Sequence, residues 1–157
     1  MTVIFVEDIA VSKAFYQNMF DLEIEMDFGE NVVFKKAFSI WQRKRAEKII
    51  FQMEKETQGK KEFNNVELYF ETNDIDSIWK KASIANVEII HLIKEESWGQ
   101  RVFRIYDPDR FIIEVAEPMS EVIKRLHHLG LSKEGISTKT QMPLEVIDKT
   151  ISSIDLS

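Results

Sequence analysis

VIFVEDI, residues 3–9, and ELYFETNDI, residues 67–75, are the same statement made twice. Each is a strand-like apolar run that ends in an acidic residue followed by isoleucine, Asp8-Ile9 and Asp74-Ile75, 66 positions apart (74 − 8). An amphipathic stretch follows each, AVSKAFYQNMF at 10–20 and DSIWKKASIAN at 76–86. Repetition at such a period means two similar supersecondary units, and two half-sheets of that kind can curve around a shared cleft. A small-molecule site is therefore expected between the copies.

In the first copy, Asp8 or Ser12 can cap a helix whose apolar residues Val11, Phe15, Met19 and Phe20 recur at helical spacing. LEIEMDFG alternates as a strand up to Gly29, and NVVFKKAFSIWQ reads as two short strands joined around Lys35 to Ala37. The second copy repeats the order: helix, strand VEIIHLI, strand WGQRVFRIY, an Asp107-Pro108-Asp109 turn and strand FIIEVAE. Proline presets φ in that turn and the aspartates bond to nearby amides. The connector at 43–65 is highly charged, and AEKIIFQME within it can form a short helix.

With 157 residues, 44% of them hydrophobic, and 11 Phe, 3 Trp and 3 Tyr, the chain can bury a real core. Its net charge of −6 argues against nucleic acid, whose phosphates demand concentrated Lys and Arg. The absence of cysteine excludes disulfides, thiolate metal sites and cysteine nucleophiles. TVIFVEDIAVSK reaches Glu7 and Asp8 too soon for a signal segment, and no apolar run approaches a membrane span. A cytoplasmic protein with no membrane partner is expected. No Gly-rich phosphate loop, nucleophile elbow or HExxH occurs.

VEDIAVSKAFYQNMFDLEI near the start and WGQRVFRIYDPDRFIIEVAEP near the end resemble the vicinal-oxygen-chelate superfamily, which includes glyoxalase I, bleomycin and fosfomycin resistance proteins and extradiol dioxygenases. The second stretch resembles that family's strand, Asp-Pro-Asp-Gly turn and glutamate-bearing strand, with Arg110 where the family has glycine. The resemblance implies an α+β fold of two βαβββ modules, at about 1–42 and 66–117, forming curved mixed sheets around a cleft. It also implies a homodimer, and a divalent cation such as Mn²⁺, Mg²⁺, Ni²⁺ or Zn²⁺ held by the first and last strand of each module.

On this chain the implied ligand positions fall at Met1, Gln42, Glu67 and Glu114. Glu114 fits the family's terminal glutamate, Glu67 takes a usual histidine position, Gln42 stands where glutamate is common, and Met1 replaces the other histidine. Two carboxylates and an amide oxygen form an all-oxygen set, which favours Mg²⁺, Mn²⁺ or Ca²⁺ over Zn²⁺ or Ni²⁺. If they hold a metal, Glu67 and Glu114 carry metal-assisted lyase, isomerase or dioxygenase chemistry. Without metal, one of the two carboxylates would act as a general acid or base, or a neighbouring cation would neutralise them.

Arg104 is the obvious such cation. Period-two alternation along WGQRVFRIY groups Trp98, Gln100, Val102, Arg104 and Tyr106 on one face, and Gly99, Arg101, Phe103 and Ile105 on the other. If the first set faces the cleft, Trp98, Gln100, Arg104 and Tyr106 form a wall suited to an anionic or planar ligand. His91, in strand VEIIHLI, either lines that cleft or is a hydrogen-bonded structural residue.

The residues after Pro118 form a helical extension, 118–157, with Val122, Ile123, Leu126 and Leu129 on a first helix stopped by Gly130. Ser132 caps a second helix and Pro143 starts a third. His127 and His128 lie about 100° apart on their helix and suit a solvated end rather than a ligand pair. The outline of a helix-turn-helix is present, but Glu121, Glu134, Glu145, Asp148 and Asp155 balance the basic residues, so docking on the sheets or on a second subunit is the expected role. Three functions stay open: a glyoxalase-superfamily enzyme, a non-catalytic small-molecule binder of the resistance-protein type, and a regulator that uses the tail.

Overall fold

The computed structural model describes residues 1–51 and 63–153. The elements run β1 (Val3–Val6), α1 (Ile9–Phe20), β2 (Ile24–Asp27), β3 (Asn31–Phe34), β4 (Ser39–Gln42), α2 (Arg43–Phe51), β5 (Phe63–Glu71), α3 (Ile75–Ile84), β6 (Ile89–Glu95), β7 (Arg101–Tyr106), β8 (Phe111–Ala116), α4 (Met119–His128), α5 (Lys133–Thr140) and α6 (Leu144–Ser152). Two four-stranded mixed sheets result, ordered β1-β4-β3-β2 and β5-β8-β7-β6. The two orders are the same when the elements are matched by position, so the doubled sequence is a doubled βαβββ fold. The helix expected in AEKIIFQME is present as α2, which starts earlier, at Arg43; the rest of the connector, 52–62, lies outside the described residues.

The described chain packs as two compact units. The first contains residues 1–67, 85–88 and 106–112, so it takes in the turn of the second repeat. In this unit Asp8 is the cap of α1, its carboxylate accepting from the amides of Ala10 and Val11, while Ser12 is used elsewhere. β1 pairs parallel to β4 with Ile4 opposite Ile40, and β3 pairs antiparallel to β4 with Val32 opposite the same residue. These three residues are buried with Tyr16, Met19 and Phe34. Tyr16 carries the helix side of the core rather than Val11, which is half exposed; its ring meets Phe38 edge-on at 4.9 Å.

Tyr16 also ties α1 to the Asp107–Arg110 turn. Its hydroxyl donates to Asp107 at 2.7 Å, the Ser12 hydroxyl donates to Asp109 at 2.8 Å, and the Glu7 amide donates to Asp109 at 2.8 Å. The amides of Asp109 and Phe111 close the turn on the Asp107 carboxylate. Arg110 occupies the left-handed region with φ +67°, where a side chain costs about 1–2 kcal/mol. Its guanidinium pairs with Glu88 and lies 4.3 Å from the centroid of the Tyr106 ring.

In the second unit α3 covers one face of β7. Phe103 meets Trp79 edge-on at 5.1 Å, and Arg101 makes a two-pronged contact with Asp76 at 2.8 and 3.1 Å. The three tail helices form their own small core from Val122, Ile123, Leu126, Ile136, Ile147 and Ile151. Ser132 caps α5 by accepting from the Gly135 amide, and Gly130 ends α4 with φ +84°. The tail is fastened to the β6–β7 turn by Arg125, which bonds the Gly99 carbonyl at 2.6 Å and pairs with Glu95 and Glu117. No helix among the described residues is long and apolar enough to cross a membrane.

Candidate functional site

Strand alternation on β7 decides where Arg104 goes. Phe103 and Arg101 face α3, so Arg104 projects from the opposite face, as the period-two reading expects. There its guanidinium pairs with Glu114 of β8, a carboxylate only 6% exposed. The second arm lies 3.1 Å from His91 Nε2 and 3.6 Å from Glu96. His91 Nδ1 stands 2.8 Å from the Leu92 carbonyl, so one tautomer satisfies both contacts: Nδ1–H donates to the carbonyl and Nε2 accepts from Arg104.

His91 reaches this face through a register shift. Ile89 pairs with Ile105, and an unbroken antiparallel ladder would then set His91 against Phe103, on the α3 face. A bulge between Ile89 and His91 instead brings His91 opposite Arg104, and a second bulge follows before Lys94. Lys94 holds Glu96 at 2.9 Å, and this hydrogen bond chiefly keeps the Glu96 carboxyl below its ordinary range, with smaller contributions from the charges of Lys94 and Arg104. Arg104 and Lys94 thus balance Glu114 and Glu96, and the neutral His91 completes one polar cluster at the second sheet.

Trp98 and Gln100 stand apart from it. The strand begins at Arg101, so both lie in the β6–β7 turn, where Gly99 adopts φ +88° and the alternation does not apply. Gln100 is 5% exposed and spends both ends internally. Its Oε1 accepts from the Trp98 indole at 2.9 Å, while its Nε2 donates to the Tyr69 hydroxyl at 3.0 Å and the Glu117 carbonyl at 2.6 Å. Tyr69, overlooked in the sequence, donates in turn to Glu71. Trp98 keeps 37% of its surface exposed above this buried network.

The remaining predicted residues belong to the first unit. Tyr106 lies under Arg110. Gln42 caps α2, its Oε1 accepting from the Arg45 amide at 2.8 Å, and its Nε2 reaches the Glu7 carbonyl at 3.4 Å. Glu67 is exposed on β5, and Met1 is 80% exposed. Among the described residues no group of three or more His, Cys, Asp or Glu is arranged to hold a metal ion. Glu114 is committed to a guanidinium and the Gln42 oxygen to a helix cap, so the donors available do not fit a divalent ion of the superfamily kind.

A recess in the first unit was not foreseen. It has a volume of about 290 Å³ and is lined by Phe28, Glu30, Asn31, Trp41, Arg45 and Ile49. The signal available was an aromatic residue, Phe28, placed directly before the turn glycine Gly29.

A family model described as a glyoxalase-like domain matches residues 1–120. No curated protein matches the chain. Among solved structures, a protein of unknown function from Agrobacterium tumefaciens is 40% identical, with 74% of this chain and 90% of that one covered and a TM-score of 0.68. Lactoylglutathione lyase from the same organism is 18% identical over 75% of this chain and 91% of that one, TM-score 0.59. A genomically encoded fosfomycin resistance protein from Listeria monocytogenes is 18% identical over 77% and 93%, TM-score 0.54. At 18% identity the last two are likenesses of fold.

Proposed function

We propose that this chain, which belongs to the glyoxalase-like domain family, binds a small polar or aromatic molecule on the Arg104 face of its second sheet and does so without a resident divalent metal. The observation that carries this reading is the Arg104–Glu114 pair. Glu114 is the one residue that matches the superfamily's terminal metal ligand, and its charge is already neutralised. A dication brought to the same carboxylate would lie near a guanidinium: two positive charges against one at ~4 Å cost about 8 kcal/mol at an effective dielectric near 20. The guanidinium, the imidazole and the carboxylates of Glu96 and Glu114 are suited instead to a ligand with both donors and acceptors. Trp98, partly exposed and braced by Gln100, offers a planar surface nearby in the chain.

Metal analysis of protein purified without added metal, followed by thermal unfolding in Mn²⁺, Mg²⁺, Ni²⁺ and Zn²⁺, tests the proposal. The expected result is no stoichiometric metal and no ion-specific rise in Tm. Retained metal that Glu114→Ala abolishes would sink it and favour metal-assisted lyase, isomerase or dioxygenase chemistry. The regulator reading gains no support from the tail, where Lys124 pairs with Glu121, Arg125 with Glu95 and Glu117, Lys133 with Asp148 and Lys139 with Glu95. Cations so paired make a poor electrostatic footprint for DNA.

A further inference from the structure

We infer that the C-terminal helices set the geometry of the Arg104 face: α4 and α5 clamp the β6–β7 turn, and Arg125 is the positioning residue that holds Glu96 against Arg104. The functional meaning of this role rests on the Arg104 face being the binding surface proposed above. Glu96 is the first residue of the turn, and its backbone is bonded within it. Its amide donates to the Gln100 carbonyl at 2.9 Å, and its carbonyl accepts from the Gly99 amide at 2.8 Å. Its carboxylate reaches Lys94 at 2.9 Å and Arg104 at 3.6 Å. A displacement of Gly99 or Gln100 therefore carries the Glu96 carboxylate with it.

The strand leading into the turn does not fix it. β6 is the last strand of its sheet, and its ladder to β7 is interrupted twice, between Ile89 and His91 and between His91 and Lys94. An edge strand with two register shifts is a loose guide for the residues that follow it. The restraint comes from the tail. One arm of the Arg125 guanidinium donates to the Gly99 carbonyl at 2.6 Å and to Glu117 at 2.9 Å, and the other donates to Glu95 at 3.1 Å. Glu117 holds the far side of the turn, its carbonyl accepting from the Gln100 side chain at 2.6 Å and its carboxylate from the Arg101 amide at 3.0 Å. A single planar fork thus spans the turn from Glu95 to Arg101, as an ammonium group on a flexible stem could not.

Packing seats the same contact. Gly99 stands at φ +88°, and a Cβ there would lie 3.0 Å from the Lys139 side chain of α5, 3.4 Å from Val122 and 3.5 Å from Leu126 of α4. The turn backbone is thus pressed directly against both helices, which a larger residue would prevent. Lys139 adds a pair with Glu95 at 3.4 Å. The three helices have their own apolar centre, of which Arg125 is not a member. Its bonds end on the turn and on the residues that flank it, where they order the groups beside Arg104.

Two variants of the full chain test the inference, Arg125→Met and Lys139→Met, with carbon NMR of the Glu96 carboxyl and hydrogen exchange of the Trp98 indole as readouts. Both remove one positive charge that faces Glu95, but only the first removes the bond to the turn. Arg125→Met should raise the Glu96 titration midpoint towards the ordinary 4.5, because the carboxylate leaves Lys94 and Arg104. It should also speed indole exchange about tenfold, the scale of one charge-assisted hydrogen bond. Lys139→Met, which keeps an apolar stem against Gly99, should leave both readouts at the parent values. The Ile113 amide of β8 should stay protected in both variants, which separates a moved turn from a loosened sheet. An unmoved Glu96 in Arg125→Met, an equal rise in Lys139→Met, or a rise accompanied by loss of Ile113 protection would overturn the inference. Neither readout uses a ligand, so its failure is distinct from failure of the binding proposal.

Discussion

Asp107 is 4% exposed, with Tyr16 donating to one carboxylate oxygen and the amides of Asp109 and Phe111 to the other. Burial pushes its carboxyl up from the ordinary 3.8 to about 6; the hydrogen bonds from Tyr16 and Phe111 oppose the rise and the charge of Asp109 adds to it. The folded state therefore binds more protons than the unfolded state between those two values. Stability from this group is fully present below about pH 3.8 and is lost as pH rises through 6, a change of roughly 3 kcal/mol at most. Urea unfolding between pH 4 and 7 should reveal that downward slope, and Asp107→Asn should flatten it. Arg104→Met leaves Glu114 buried and unpaired and should cost about 3–5 kcal/mol, while the double variant Arg104→Met, Glu114→Leu should recover most of it. A double variant no more stable than Arg104→Met would refute the pairing as the main partner of Glu114.

At the scale of elements, the Asp107–Arg110 turn departs from the superfamily pattern in a way the structure accounts for. A side chain stands at φ +67°, a conformation glycine adopts without penalty, and it is compensated by the pair with Glu88 and the stacking on Tyr106. Arg110→Ala keeps the strain and loses both contacts, so it should destabilise by about 1–2 kcal/mol, whereas Arg110→Gly relieves the strain and should fall within about 0.5 kcal/mol of the parent. Thermal unfolding of the two variants separates the cases. The strand β7 was legible in alternation because Arg101 and Phe103 against Val102 and Arg104 is a local pattern. Its start was not, because the turn conformation of Trp98 to Gln100 depends on hydrogen bonds to Tyr69 and Glu117, residues 31 and 17 positions away.

For the molecule as a whole, the tail behaves as a helical unit with its own apolar centre, fastened to the β6–β7 turn through Arg125. Truncation after Glu117 should strip protection from the Glu96 and Gly99 amides and lower Tm, as hydrogen exchange and thermal unfolding can measure; unchanged exchange at that turn would refute the fastening. The doubled fold could be read in advance because its signs are local: strand period, an aspartate at each helix start, a proline turn and a glutamate seven residues after Asp107. Those signs depend only on neighbouring backbone and side chains. Arg104 could be named in advance as the cation to neutralise Glu114. Which of the open alternatives holds, and which partners His91 and Gln42 take, depends on strand register and on contacts distant in the chain. A bulge turns His91 towards Arg104, the neighbouring strand hands Glu114 to that guanidinium, and the start of α2 claims the Gln42 oxygen. The sequence placed a carboxylate where the superfamily binds metal; tertiary packing put an arginine on it.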